Sequence, residues 1–121
     1  MALFRCGTSG GGEVAINSCP DFCGAASVAS SASKTFTFTK KPRLVVVLNS
    51  YIYSNAIYRN YAVKDSGGVW KRWSINGNVN NSYSESNLSA LAGSITETDT
   101  SLTISGGWSS YTSEFIVMAW Y

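Results

Sequence analysis

Three cysteines, Cys6, Cys19 and Cys23, are the most reactive side chains in this 121-residue sequence. All lie near its start. Cys19 and Cys23 flank Pro-Asp-Phe, a spacing that suits a metal ion. A closed tetrahedral site needs four ligands, however, and the chain has no histidine. An odd number of cysteines leaves at least one unpaired within the chain. Reduced thiols are therefore the expectation, and a bridge or shared metal between subunits is the second reading. No metal or other cofactor is expected within one subunit.

Catalytic chemistry is sparse elsewhere too. The absence of histidine removes the commonest general base. There is no Gly-x-Ser-x-Gly and no Gly-x-Gly-x-x-Gly, and "GTSGGGE" at Gly7 to Glu13 lacks the Lys-Ser/Thr ending of a phosphate loop. The seven carboxylates are scattered, which disfavours a paired-carboxylate glycosidase. The chain reads as a non-enzyme with no catalytic residue. The aromatics remain. Four tryptophans and seven tyrosines are many for this length. Trp73 and Trp120 suit core packing. Trp70 shares a strand face with Arg72, and Trp108 and Tyr111 follow a Gly pair, where a loop can hold rings outward. Trp70, Arg72, Trp108 and Tyr111 are thus the candidate ligand-binding residues. Ser109, Ser110 and the Asn-rich stretch Asn76 to Asn81 would offer polar neighbours. Exposed rings of this kind stack on sugars or fill pockets between subunits, and both readings stand.

Charged residues are only 13% of the chain, about half the usual share. Ser, Thr, Asn and Gly take the polar positions. Eight of the nine basic residues lie between Lys34 and Arg72, with Asp65 the only acid among them. Such asymmetry can mark a nucleic-acid surface. No basic run exceeds two residues, so opposite charges meeting across strands or subunits is the preferred reading, without nucleic acid. No apolar stretch reaches the ~18 residues of a membrane span, and nothing at the N-terminus resembles a signal peptide. Synthesis in the cytoplasm without general secretory export is expected.

The elements that would position these side chains are strands. In "KTFTFTK" Phe36 and Phe38 share one face and threonines the other, a half-buried strand. Pro42 stops its ladder. "RLVVVLN" is continuously apolar, so its strand should be central and covered on both faces. In "VWKRWSI" the set Val69, Trp73 and Ile75 is expected to face the core, and "NGN" at Asn76 to Asn78 to form a hairpin turn. "SNLSALAG" offers one helical turn capped by Ser86 or Asn87. "SLTIS" and the closing "EFIVMAWY" complete the pattern. Phe36, Phe38, Leu44, Val46, Leu48, Leu102, Ile104, Phe115, Val117 and Ala119 form the expected core. The sum is an all-β fold, an antiparallel β-sandwich of about six to eight strands over residues 34–121. Residues 1–33, rich in Gly and small residues, read as an extended arm for attachment or subunit contacts. The apolar last strand and the coreless arm together point to a homo-oligomer.

"FTFTKKPRLVVVL", "SLTIS" and "EFIVMAWY" together resemble the H-type lectin-like pattern. There a Phe-containing strand leads through Pro to a Val-rich strand, and the domain closes on a Trp-Ala-type strand. Here Ala119-Trp120 stands in the reverse order, and no sugar-binding residue of that family can be matched one by one. The chain also looks like accessory β-proteins of bacteriophages and prophages, such as tail-fibre tips and other virion surface proteins, through its start "MALFRCGTSGGG" and the following F-x-F motif. The resemblance covers about Lys34 to Tyr121. It implies a trimeric sandwich carried on a virion, made in the bacterial host cytoplasm and held to other virion proteins by its arm. It also implies a host surface carbohydrate as ligand. The alternatives are a capsid decoration or tail protein without a ligand, and a free-standing small lectin.

Overall fold

A computed structural model describes residues 19–64, 67–78, 83–90, 94–106 and 111–121, with the backbone alone at 76, 78 and 83–90. Every regular element among them is a strand: β1 Phe22–Val28, β2 Ser33–Thr37, β3 Leu44–Tyr53, β4 Ala56–Lys64, β5 Trp70–Asn78, β6 Tyr83–Ala90, β7 Ile95–Thr98, β8 Ser101–Ser105 and β9 Ser113–Trp120. They form a six-stranded sheet in the order β1-β9-β3-β4-β5-β6 and a three-stranded sheet in the order β2-β8-β7. All pairings are antiparallel. The all-β antiparallel sandwich expected from the sequence is the observed fold.

The core lies where the small sheet covers the large one. Phe36, Phe38, Leu102, Ile104 and Ile95 meet Val28, Val47, Ala62, Trp70, Phe115, Val117 and Ala119, all buried. The alternation in β2, β8 and β9 dictates this, since every second side chain faces the same layer. Phe22 adds edge-on contacts to Phe36 and Phe38, with ring centroids 6.3 and 5.2 Å apart.

Four sequence expectations need correction. First, the assignment of residues 1–33 to an arm fails over Phe22–Val28, which pairs with Ser113 to Ala119 of β9. Its inward residues Phe22, Gly24, Ala26 and Val28 look weakly apolar because the site wants small groups. A Cβ on Gly24 would sit 2.9 Å from both the Phe22 and Phe36 rings. The sandwich thus starts before Lys34, and residues 1–18 lie outside the described ones. Second, β3 has the opposite parity to the one expected. It turns Val45, Val47 and Asn49 inward, where they pair with Ala119, Val117 and Phe115. Leu44 is 52% exposed, and Val46 and Leu48 are half-buried on the outer face. Third, β5 is reversed as well: Trp70 and Ser74 are buried, while Val69 and Trp73 are exposed. Its register sets Trp70, Arg72 and Ser74 against Lys64, Ala62 and Asn60 on the inner side. Fourth, Asn76 to Asn78 continue β5, and 83–90 is a strand and not a helical turn. β5 and β6 pair up to Gly77 with Tyr83, and residues 79–82 between them lie outside the described ones. Ser86 and Asn87 therefore cap nothing.

The hairpin that matters most was not marked by any glycine. Ser54 and Asn55 take φ of 47° and 62°, the positive pair a type I′ turn requires, and Asn tolerates it well. Tyr53 then pairs with Ala56, and Tyr51 with Tyr58.

Candidate ligand-binding site

β3 and β4 run on beyond the cover of the small sheet, and their inner faces change character along the way. Next to the apolar core comes a buried polar row. Ser74 Oγ donates to Asn60 Oδ1 (2.5 Å), Asn60 Nδ2 to Asn49 Oδ1 (2.6 Å), and Asn49 Nδ2 to the Glu114 carbonyl (3.3 Å). This relay crosses β5, β4, β3 and β9 with Asn49 and Asn60 each only 3% exposed. Burial of amides is tolerable because each finds a partner.

One residue pair further on, the face is tyrosine. Tyr51 and Tyr58, directly opposite in register, stack with centroids 4.8 Å apart and planes 4° from parallel. Tyr111, just before β9, lies 6.2 Å from Tyr51 and 4.7 Å from Tyr53, again nearly parallel. The four rings make a ladder whose outer members, Tyr53 and Tyr111, are 47% and 41% exposed. Burial, then the neighbouring Tyr58 phenol, push the Tyr51 hydroxyl above its ordinary value, and the Arg72 charge opposes them. The hydrogen bond with Tyr53 is the main cause raising Tyr111. These two phenols stay neutral well beyond physiological pH. The ladder therefore presents flat rings with hydroxyl donors and acceptors.

The four sequence-picked residues divide. Tyr111 is a member of this ladder, whereas Arg72 stands opposite Ala62 on the core side of the polar row and reaches the ladder only through the effect of its charge on Tyr51. Trp70 does not belong to it: it is 8% exposed, and Lys64 Nζ stands 6.0 Å from its ring centroid. It lines instead a cleft of about 450 Å³ with Phe38, Pro42, Lys64 and Glu97. There Lys64 pairs with Glu97, and Lys41 lies 2.9 Å from Asp99, so most of the charge is already matched and the indole face is covered. Trp108 lies outside the described residues, as do Ser109, Ser110 and Cys6. Cys19 is disulfide-bonded, which overturns the expectation of reduced thiols throughout. Cys23 is an exposed free thiol on the outer face of β1.

Tyr51, Tyr53 and Tyr58 were passed over in the sequence. The signal was present: two tyrosines spaced by two before Ser-Asn, and a third placed so that a two-residue turn sets it opposite Tyr51.

No family model, curated protein or solved structure matches the chain.

Proposed function

We propose that this chain is a non-enzymatic component of a bacteriophage or phage-like particle that binds a host surface carbohydrate at the tyrosine ladder. The observation that carries the binding half is the exposed pair Tyr53 and Tyr111, stacked at 4.7 Å and continued inward by the rings of Tyr51 and Tyr58. Sugar rings present one apolar face and a rim of hydroxyls. A flat aromatic face with uncharged donors and acceptors complements both. The particle half is supported by the likeness of the sequence to phage surface β-proteins. The part of the N-terminal arm that precedes β1 is its attachment segment.

A glycan array with the full chain tests the binding. One exposed ring contributes about 1–1.5 kcal/mol, so Tyr53→Ala or Tyr111→Ala should weaken the bound glycan about tenfold. Both residues are exposed, so the melting temperature should stay within 2–3 °C, roughly the effect of a surface change. Absence of any bound glycan would reject the ligand and leave a purely structural virion protein. Antibody labelling of intact particles tests the location.

A further inference from the structure

The outer face of the large sheet is not built for water. One cross-strand row reads Ala25, Ile116, Leu48, Tyr61, Trp73 from β1 to β5. Ile116 is 42% and Trp73 40% exposed, and Tyr61 leans on Trp73 with centroids 6.1 Å apart. Met118 and Val46 pair beside this row, and Leu44 pairs with Trp120 beyond them. An antiparallel sheet with one wet face would alternate apolar with polar. On its other side the row is bounded by one of the few charged lines on this face: Glu114 on β9, Ser50 on β3 and Arg59 on β4. Both charged residues are exposed, and neither forms an ion pair among the described residues. A shallow hollow of about 170 Å³ lies around Ser50, between them.

We infer that this face is the interface with a second copy of the chain, packed sheet on sheet about a two-fold axis that runs along β3. The register selects the axis. A two-fold along β3 keeps each residue's level and exchanges left for right, so β9 of one copy lies over β4 of the other. Glu114 then faces the second copy's Arg59, and its Arg59 faces Glu114. Leu48 meets Leu48, Ile116 meets Tyr61, and the bulky Trp73 meets the small Ala25. A two-fold across the strands at Leu48 would set Glu114 on Met118 and Arg59 on Val63, burying charge on apolar groups. One across the strands at Ser50 would set Glu114 on Glu114. Only the axis along β3 matches charge with charge and large with small. Sheets stack about 10 Å apart, which an Arg and a Glu bridge by extending toward each other. The usual ~30° rotation of aligned sheets moves residues one strand from the axis by only about 2.5 Å, so these pairs survive the twist.

The size fits. Five strands at ~4.8 Å spacing over roughly 20 Å of length give a flat footprint of about 400–500 Å². Protruding Trp73, Ile116 and Leu44 add accessible area and bring it toward the ~800 Å² per partner of a stable interface. The tyrosine ladders sit on the inner faces, so a dimer of this kind leaves both of them clear of the interface, on opposite sides of the assembly.

Sedimentation equilibrium of the full chain at 1–100 µM, a range of roughly −8 to −5.5 kcal/mol in association free energy, tests this. The expected mass is twice the 13.0 kDa of one chain. Glu114→Arg alone and Arg59→Glu alone should each weaken association at least tenfold by opposing like charges, and the double reversal should restore it. The Glu114 change leaves its carbonyl to Asn49, so circular dichroism should show both single variants folded. Leu48→Asp, on the axis, should give monomer. A monomeric wild type throughout that range, or a trimeric mass, overturns the proposal. So does a double reversal that stays as weak as the singles while remaining folded.

Discussion

Asn60→Ala tests the reasoning about the inner face most directly, because this side chain holds the polar row together. It accepts from Ser74 Oγ at 2.5 Å and donates to Asn49 Oδ1 at 2.6 Å. Removing it leaves Asn49 Oδ1 buried without its donor and takes one acceptor from Ser74. An orphaned buried polar atom costs about 1–3 kcal/mol and a lost hydrogen bond about 0.5–1.5. The sum is about 2–4 kcal/mol, a large part of the roughly 5–15 kcal/mol that holds a domain folded. With a urea slope of about 1.5–2 kcal/mol/M, the unfolding midpoint should fall by roughly 1–2.7 M, read by intrinsic fluorescence. A double-mutant cycle sharpens the test. Asn49→Ala alone orphans the Asn60 amide, but in the Asn49→Ala, Asn60→Ala double variant neither orphan remains. The double should therefore cost about 1–2 kcal/mol less than the sum of the singles. A single-variant loss below about 0.5 kcal/mol, or strictly additive losses, would show that water or a rearranged face already serves these groups.

Spectrophotometric titration of tyrosinate should show Tyr51 and Tyr111 ionising above the ordinary phenol value, since burial and Tyr58 raise Tyr51, and Tyr53 raises Tyr111. Their folded values lie above the unfolded value of about 10, so their stabilising contribution is complete below pH 10 and is lost as pH climbs through the folded values. Gly106→Ala should destabilise by about 1–3 kcal/mol in thermal melts, because a Cβ there would come 2.2 Å from the Ala29 carbonyl oxygen and 2.7 Å from that of Ser30. A chain beginning at Ser33 lacks β1, loses the burial of Val28 and the packing of Phe22, and bares the β9 edge; soluble expression with unchanged circular dichroism would refute the place given to β1.

Where one strand face is wet, its parity can be read. "KTFTFTK" and "SLTIS" alternate cleanly, and Phe36, Phe38, Leu102 and Ile104 are all buried as expected. In β9 the closely packed inward set Phe115, Val117 and Ala119 is bulkier at its start than its neighbours, and its parity was legible too. β3 was not. Leu44-Val45-Val46-Val47-Leu48 is apolar at every position, and choosing the larger leucines for the core picked the wrong face. β5 misled in the same way, since Val69, Trp73 and Ile75 outweigh Trp70, Arg72 and Ser74 in hydrophobicity. What decided it was pairing with β4, where Ala62 and Asn60 face the core, and one strand's composition does not contain its neighbour's register. Only part of the candidate site was legible for a related reason. Tyr111 could be picked as a ring off the core, while Arg72 lies on the inner face opposite Ala62. The ladder that Tyr111 joins depends on the Ser54-Asn55 turn, whose positive φ came without the glycine that usually announces it.

The two misread strands are also an argument about the molecule. A period-two pattern fails when both faces of a strand are apolar, and β3 and β5 each carry apolar groups on both. The small sheet covers the inner face, and the polar row of Asn49, Asn60 and Ser74 marks where that cover ends and the tyrosine ladder begins. Within one chain, the described residues place nothing over Ile116, Leu48 and Trp73. Natural sheets that face water carry charge at such positions, and here the outer charges Glu114 and Arg59 sit one strand to either side of Ser50. If that face were free in solution, replacing Leu48 and Ile116 by threonine would be nearly neutral, since β-propensity is kept and little burial is lost. If the face is an interface, the same pair of changes removes burial of two aliphatic side chains per copy. At about 1 kcal/mol or more for each side chain, that weakens association at least a hundredfold without unfolding the sheet. Unchanged mass for the double threonine variant would therefore mean that this doubly apolar sheet has another explanation than a second copy.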